Sequence, residues 1–358
     1  MNLLDDIITK KAIVIVGSGG VGKTTISSAI AIKSSGEGRK TLVMTVDPAR
    51  RLADSLGIPA VGITSAPLKI GENLYAFMVD MRESADKLVD KFSPSKEIAE
   101  KIKAHRFYKQ ATDFLMGSHE YVAAELLCDF CKRGEFELIV LDTPPARHAL
   151  EFFEAPSRVM DFLKSKIISR FLKTYLRVGK AGVNFFRRFG VIFSIIEKLT
   201  GANLLLEISE FILFFEGMYE KFFMEAETLY SFLRSDDVSF YLVTSPERER
   251  ISETAELRER LKEIGIKRCG LIINKVNPLL FSDITREMDW AGEVPDRIGG
   301  IINSMKEKAE VQKKTIEGLM KKHKDIVIIP ELPEEVLSIE KIRELLPYLF
   351  KQFLLASN

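Results

Sequence analysis

A glycine-rich stretch near the start of the chain carries residue types that bind phosphate. Gly17-Ser18-Gly19-Gly20-Val21-Gly22-Lys23-Thr24-Thr25, here named the P-loop, matches the pattern G-x-x-x-x-G-K-[ST] at every fixed position. The glycines let the backbone approach an anion closely, and N–H groups at a helix start favour negative charge. In this pattern Lys23 reaches the β- and γ-phosphates, and the Thr24 hydroxyl binds Mg²⁺.

The segments on either side of the P-loop fit that chemistry. An apolar, β-branched run, Ala12 to Val16, predicts a buried strand before it. Thr24 to Lys33 predicts a helix after it. A strand, a glycine turn and a helix N-terminus together form an anion site, so the sequence predicts binding of a nucleotide with Mg²⁺.

Polar residues also stand where other strands are expected to end. Asp142 follows the run Leu138 to Leu141, Asp47 follows Lys40 to Val46, and Asn274 ends Gly270 to Asn274. In a doubly wound sheet, ligands bind at the carboxyl ends of the strands. Asp142 would hold Mg²⁺ directly or through water, and Asp47 is a further candidate for this ion. The Asn274 amide would pair with a base edge, or would form only a turn at the strand end.

A second carboxylate, Asp54, stands seven residues after Asp47. It could orient or deprotonate an attacking water molecule. The alternative is a helix cap or an exposed acid without a catalytic role.

The order of the elements predicts the fold class. Further strands are expected at Asn73 to Val79, Ser239 to Val243 and Ile326 to Ile329, and an amphipathic helix at Ile339 to Phe353. Strands that alternate with helices predict an α/β fold, a P-loop NTPase with a mostly parallel, doubly wound sheet. We expect the ATPase domain in residues 1–95, 134–155 and 235–358. The helical blocks 96–133 and 156–234 exceed what a crossover needs, which predicts an inserted α-helical subdomain.

Bulk composition excludes several classes of protein. The 358 residues carry 52 Lys and Arg against 51 Asp and Glu, so no general nucleic-acid signature is present. Three cysteines are too few for a disulfide framework and indicate a reducing compartment. The start of the chain is acidic, unlike a signal peptide, and no stretch of about 18 residues is free of charge. We therefore expect a cytoplasmic protein.

Residues 152–232 are unusually rich in phenylalanine, and part of this segment is basic. It holds 14 of the 24 phenylalanines, and between Pro156 and Thr200 ten basic residues face only Asp161 and Glu197. Such a segment suits a groove for an apolar helix of a client protein, or contact with an anionic membrane surface. The alternative is an ordinary packed helical layer with solvated lysines.

Further matching segments, spread over nearly the whole chain, carry a family resemblance. In order they are Gly19 to Thr25; Asp47-Pro48-Ala49 with Leu52 and Asp54; Asp142-Thr143 with Pro145, His148 and Leu150; Glu247 with Glu253-Thr254; Ile273-Asn274; and Pro330 with Glu340 to Arg343. The chain resembles the ArsA-type ATPases, which include arsenite-pump ATPases and ATPases that target tail-anchored membrane proteins. The segments Gly17 to Gly20, Asp47 to Ala53 and Asp142 to Leu150 also resemble a prokaryotic branch of that family.

The resemblance implies roles for single residues. Asp54 matches the aspartate that activates water, and Asp142 with Thr143 matches the strand that senses the γ-phosphate. Glu247 and Asn274 match nucleotide contacts, with Asn274 at the adenine. The resemblance also implies ATP and ADP as ligands, Mg²⁺ as cofactor and a homodimer with nucleotide at the interface.

Two features depart from the family pattern. The family has a second lysine after the first glycine of the loop, and this chain has Ser18 there. We expect Arg50, Arg51 or Arg147 to supply the missing charge, or else to make only weak surface ion pairs. The cysteine pair of the eukaryotic targeting ATPases is also absent from Ile301 to Val311.

A different cysteine pair, Cys128 and Cys131, has the spacing that places both thiols on one side of a helix. Two copies in a dimer would complete a four-thiolate zinc site, and two thiols could also bind a trivalent metalloid. The alternative, which the sequence favours, is that both are small buried apolar residues.

Three functions are therefore open, in descending order. The first is nucleotide-controlled binding or targeting of hydrophobic membrane-protein segments. The second is the ATPase subunit of an arsenite or metalloid extrusion system, which the sparse cysteines and the single copy of the ATPase half disfavour. The third is a ParA/MinD-like positioning ATPase, which would usually keep the second loop lysine and lack so large a helical insert.

Overall fold

The computed structural model of the chain describes most residues outside the phenylalanine-rich segment. They are 3–47, 51–59, 63–64, 66–105, 108, 119–144, 154, 156–157, 160–161, 218, 220–266, 269–281, 296–323 and 326–350, with the backbone alone at 81, 119–120, 296–303 and 322. The chain divides into two compact units. The sheet unit is Met1–Asp80, Leu127–Leu150 and Leu233–Asn358, and the helical unit is Met81–Leu126 and Glu151–Phe232.

The sheet unit is built on one eight-stranded sheet. Its strands are β1 (Ala12–Gly17), β2 (Thr41–Thr45), β3 (Leu68–Lys69), β4 (Leu74–Met78), β5 (Leu138–Asp142), β6 (Val238–Thr244), β7 (Cys269–Val276) and β8 (Ile326–Pro330). Their order across the sheet is β3-β4-β2-β5-β1-β6-β7-β8. Every neighbouring pair is parallel except β3 with β4. The mostly parallel α/β sheet confirms the fold class predicted from the sequence.

Helices connect or flank the strands. They are α1 (Leu3–Thr9), α2 (Lys23–Gly36), α3 (Arg51–Leu56), α4 (Met81–Phe92), α5 (Lys96–Ala104), α6 (His119–Arg133), α7 (220–232), α8 (Arg248–Glu263), α9 (Asp296–Lys322), α10 (Ile339–Arg343) and α11 (Leu346–Phe350), with a 3-10 turn at Pro278–Leu280. None of the helices in the described part of the chain is both long enough and apolar enough to cross a membrane.

The central strands are apolar along their length because both faces of the sheet are covered. All six residues of β1 and all five of β5 are buried, as is typical of parallel sheets. The register pairs Ile15 with Asp142 and Gly17 with Val243, and β2 pairs Thr45 with Asp142. The carboxyl ends of β1, β2, β5 and β6 therefore meet at one edge of the sheet.

The seven strands predicted from the sequence are confirmed, with ends that differ by one or two residues. The short antiparallel β3 and helix α1 were not predicted. The single helix predicted for Ile339 to Phe353 is wrong, since α10 ends at Arg343 and α11 begins at Leu346. Pro347 explains the break, because proline has no N–H to donate to the carbonyl four residues earlier and its ring clashes with that carbonyl.

The helical unit has an aromatic core among its described residues. The Phe222 ring meets the rings of Phe92 and Tyr121 edge-on, with centroids 5.1 and 5.4 Å apart. Beside them, Lys91 Nζ donates to Glu125 Oε1 at 2.8 Å, and Glu125 is buried. Most of residues 156–234 lies outside the described residues, so the boundaries of the inserted helical subdomain stay a prediction.

Candidate functional site

The P-loop wraps around the N-terminus of α2 in a left-handed turn. Gly20 and Gly22 have φ values of 78° and 91°, and Gly22 is the residue that precedes α2. Residues with a side chain rarely adopt this backbone conformation, which explains why both positions are glycine. The first N–H groups of a helix have no partner within it, and the helix dipole adds positive potential there. The loop therefore offers an anion site at the carboxyl edge of the sheet.

Close packing fixes two of the loop glycines. A Cβ on Gly17 would stand 2.1 Å from the Val243 carbonyl oxygen, and one on Gly22 would stand 2.4 Å from Asn274 Nδ2. Real Cβ atoms do not approach other atoms so closely. Strands β6 and β7 therefore pack closely against the loop, and a side chain at either glycine would displace Val243 or Asn274.

Lys23 is held inside the loop. Its side chain is buried, and Nζ donates to the Ser18 carbonyl oxygen at 3.0 Å. Burial lowers the pKa of Lys23, with Asp142 opposing the shift and Arg51 adding to it. A phosphate in the loop would supply the negative charge that compensates this buried ammonium.

Two hydroxyls converge on the carboxylate of Asp142. Thr24 Oγ1 donates to Asp142 Oδ2 at 2.7 Å and Thr45 Oγ1 donates to the same oxygen at 3.1 Å. Asp142 is buried, and Oδ1 has no hydrogen-bond partner among the described residues. Burial raises the pKa of Asp142 to about 6, against the lowering effects of Thr24, Lys23 and Thr45.

These groups fit Mg²⁺. A hydroxyl and a carboxylate 2.7 Å apart are the oxygen ligands that this ion takes, and the second carboxylate oxygen is buried without a donor in the described chain. A cation there would satisfy Oδ1 and favour the ionised carboxylate. The neighbouring Thr143 is fixed to β1, since its Oγ1 donates to the Ile15 carbonyl at 2.7 Å.

Asp47 and Asp54 belong to the segment after β2. The Asp47 N–H donates to Thr45 Oγ1 at 3.2 Å, and Asp47 Oδ2 lies 3.0 Å from Arg51 Nη1. Asp54 lies on α3 and is exposed, between the buried Ala53 and Ser55. Ser55 Oγ lies 3.3 Å from Ser28 Oγ of α2. Helix α3 is thus packed on the helix that starts at the P-loop.

The end of β7 contacts the backbone of the P-loop. Asn274 Nδ2 donates to the Val21 carbonyl and Lys275 Nζ donates to the Gly20 carbonyl, both at 2.9 Å. The sequence singled out Asn274 as a base contact but not as a contact of the loop, and it missed Lys275. No local sequence pattern indicates that the lysine after this asparagine bonds to a distant loop.

Ser18 is buried and is tied to α8. Its Oγ donates to Glu253 Oε2 at 2.5 Å, and Arg250 Nη1 donates to the same oxygen at 3.2 Å. Glu247, the other acid of this region named from the sequence, immediately precedes α8 and is exposed. Glu253 thus gives the buried Ser18 hydroxyl a hydrogen-bond acceptor at this loop position.

Among the described residues, no group of three or more His, Cys, Asp or Glu side chains is placed to hold a metal ion. Cys128 is buried, and Cys131 Sγ lies 3.8 Å from the Lys11 carbonyl oxygen. Burial raises the pKa of Cys131 to about 12 and that of Cys269 to about 12. Raised pKa values disfavour the thiolate, which is the form that binds metals. Of the three arginines named from the sequence, Arg50 and Arg147 lie outside the described residues.

Comparison with known proteins gives one consistent result. The family model described as "Anion-transporting ATPase" matches residues 10–351. A "Putative arsenical pump-driving ATPase 2" of Aquifex aeolicus (strain VF5) is 28% identical over 340 residues, which cover 93% of this chain and 97% of the relative. An "ATPase ASNA1 homolog" of Plasmodium yoelii yoelii is 26% identical over 371 residues, which cover 96% of this chain and 86% of the relative.

Proposed function

The chain belongs to the ArsA-type anion-transporting ATPase family, and we propose that it couples Mg²⁺-dependent ATP hydrolysis to the binding of hydrophobic membrane-protein segments. One observation supports the hydrolytic site most strongly. The Thr24 hydroxyl at the end of the P-loop and the Asp142 carboxylate at the end of β5 are 2.7 Å apart. The pair supplies oxygen atoms of the kind that Mg²⁺ binds, next to the start of α2, and this supports the proposed site.

The geometry of the loop supports the binding roles that we propose. Backbone N–H groups of residues 17–25 and the Lys23 ammonium would hold the phosphates, and Thr24 and Asp142 would hold Mg²⁺. Asp47 is linked to this pair through Thr45, because the Asp47 N–H donates to the Thr45 hydroxyl and that hydroxyl donates to Asp142. Asn274 presents its amide to the base, and Glu247 contributes a further nucleotide contact.

Asp54 is our candidate for the residue that orients the attacking water. It accepts a proton as the water oxygen bonds to the γ-phosphorus and the bond from that phosphorus to the ADP oxygen breaks. When bound, Mg²⁺ neutralises the charge that develops on the phosphate oxygens. The buried Lys23 and the N–H groups of the loop stabilise the same charge without rearranging.

Arg51 is our leading candidate for the cation that replaces the missing loop lysine. Its charge contributes to the lowered pKa of Lys23, and its guanidinium pairs with Asp47 Oδ2 at 3.0 Å. Arg50 and Arg147 are the alternatives. We propose a homodimer in which one of the three arginines supplies the charge of the missing lysine. Alanine variants of all three test this, and unchanged hydrolysis in each would refute it.

The output of hydrolysis is the binding of a hydrophobic helical client. The support is the phenylalanine-rich, basic sequence of residues 152–232, together with relatives whose names include ASNA1. Relatives named as arsenical pump ATPases favour the alternative, metalloid extrusion. The raised pKa values of Cys131 and Cys269, both half-buried, argue against a thiolate site for a metalloid in this chain. We also propose a cytoplasmic location, and contact with an anionic membrane surface as the alternative use of the basic segment.

Capture of a hydrophobic transmembrane peptide tests this function. The purified protein is incubated with the labelled peptide in ADP or in ATP, and a variant with Phe189→Ser and Phe193→Ser is compared. We expect nucleotide-dependent capture that the double variant loses. Ile8→Ser is the matched control, because it removes an apolar side chain that is 56% exposed in the sheet unit. Absence of capture together with arsenite-stimulated hydrolysis would favour the extrusion function instead.

A further inference from the structure

Three carbonyl groups of the P-loop accept hydrogen bonds from side chains. Lys23 Nζ bonds to the Ser18 oxygen at 3.0 Å, while Lys275 Nζ and Asn274 Nδ2 bond to the Gly20 and Val21 oxygens at 2.9 Å. The last two donors come from outside the loop, at the end of β7. The orientation of two successive loop peptides is therefore set by two successive residues of another strand.

The orientation of these peptides matters for anion binding. In a trans peptide group the C=O and N–H bonds point in opposite directions. A donor bonded to the Gly20 carbonyl therefore orients the N–H of Val21 away from that donor. In the same way, the bond to the Val21 carbonyl orients the N–H of Gly22 away from Asn274. A hydrogen bond to a carbonyl also polarises its peptide group, so that its N–H becomes a stronger donor. An ammonium group, as on Lys275, has the larger effect.

The backbone of β7 is distorted where these two residues lie. Lys275 has a φ of 59° and is the one non-glycine residue with positive φ in the described chain. The pairing of β7 with β8 shifts register between Ile273 and Val276. Successive side chains of a regular strand point to opposite faces. The distortion is what allows Asn274 and Lys275 to contact the same loop, as bulges do when they redirect a side chain.

We propose that Lys275 is a positioning residue of the phosphate site, which holds the Gly20 peptide so that the loop N–H groups face the phosphates. The inference rests on the nucleotide site of the proposed function. It concerns a residue that contacts the backbone of the loop. Left-handed backbone at a lysine is unfavourable, and such conformations concentrate at functional sites.

Binding of ADP and of inorganic pyrophosphate to the full chain tests the proposal. Lys275→Asn removes the ammonium but keeps a residue that tolerates left-handed backbone. Loss of a charge-assisted hydrogen bond should raise the Kd for both ligands about tenfold. Lys275→Arg keeps a cation and should restore both affinities to within about threefold of the wild type. Lys308→Asn, an exposed lysine on α9, is the control for the loss of one charge.

Turnover kinetics distinguish positioning from a general loss of structure. The loop N–H groups bind phosphate in both the ground and the transition state, so Lys275→Asn should raise KM for ATP more than it lowers kcat. A merely structural role would lower the active fraction, and so kcat, at unchanged KM. An unchanged ADP Kd in Lys275→Asn, or an equal loss in Lys308→Asn, would overturn the inference. Failure of the wild type to bind ADP would instead refute the nucleotide site itself.

Discussion

The glycines of the P-loop offer a graded test of the loop geometry. Gly22→Ala adds a methyl group at a φ of 91° and only 2.4 Å from Asn274 Nδ2. Gly20→Ala adds one at a φ of 78°, where, apart from the neighbouring residues in sequence, no described heavy atom lies within 4 Å of the new Cβ. Gly19→Ala adds one in open space, outside the left-handed range of φ. The three variants make the same chemical change in three different environments.

The expected effects on the free energy of unfolding follow from these environments. Replacing glycine by alanine restricts the unfolded chain, which stabilises by about 0.5 kcal/mol, so Gly19→Ala should be neutral or slightly stabilising. Left-handed backbone at alanine costs roughly 1–2 kcal/mol, so Gly20→Ala should destabilise by about 1 kcal/mol. Gly22→Ala also breaks the bond from Asn274 to Val21, worth about 1 kcal/mol, for a loss of about 2 kcal/mol.

Urea unfolding of the nucleotide-free protein, followed by far-ultraviolet circular dichroism, measures these differences. An Asn274→Ala background provides the internal control, since the clash and the bond are then both gone. In that background the cost of Gly22→Ala should fall by about 1 kcal/mol, towards that of Gly20→Ala. Equal effects of all three variants, or no relief in the Asn274→Ala background, would refute the geometry.

Three further predictions concern the site and the helical unit. Thr24→Val should lower kcat about 100-fold and raise the Mg²⁺ concentration needed for half-maximal hydrolysis, because it removes the hydroxyl that binds the ion. Thr24→Ser keeps the hydroxyl and should retain most activity, so equal activity of the two variants would contradict the assignment. Asp54→Asn should lower kcat by at least about 100-fold and leave the ADP Kd unchanged, since the residue acts on water; normal turnover would exclude it. Phe222→Ala should destabilise the helical unit by about 3 kcal/mol and retain ADP affinity, and the measurement is faster amide exchange in α4 and α6. Exchange in these helices as slow as in the wild type would contradict the aromatic core.

Much of the sheet could be predicted from the sequence because its signals are local. Runs such as Ala12–Gly17 and Leu138–Asp142 are apolar and β-branched, and both are buried on two faces. The P-loop pattern fixed the positions of Lys23 and Thr24. The loop pattern and the strand-end position of Asp142 each predicted a Mg²⁺ ligand, and the two side chains lie 2.7 Å apart.

The remaining features depend on contacts between distant parts of the chain. No local pattern indicates that Ser18 bonds to Glu253, or that Lys275 bonds to the Gly20 carbonyl. The fourteen phenylalanines of residues 152–232 were treated as one group, yet Phe222 is buried between Phe92 and Tyr121. Composition counts apolar side chains and does not separate core residues from a binding surface. The break at Pro347, in contrast, was readable from the sequence.

The nucleotide dependence of client binding tests the account most directly. The affinity of a labelled transmembrane peptide is measured for the wild type in ADP and for Asp54→Asn in ATP, where slow hydrolysis keeps the triphosphate bound. We predict that the two Kd values differ by at least about tenfold, a coupling of about 1.4 kcal/mol. Equal affinities in the two states, or no binding in either, would contradict the proposal that ATP hydrolysis controls a hydrophobic client.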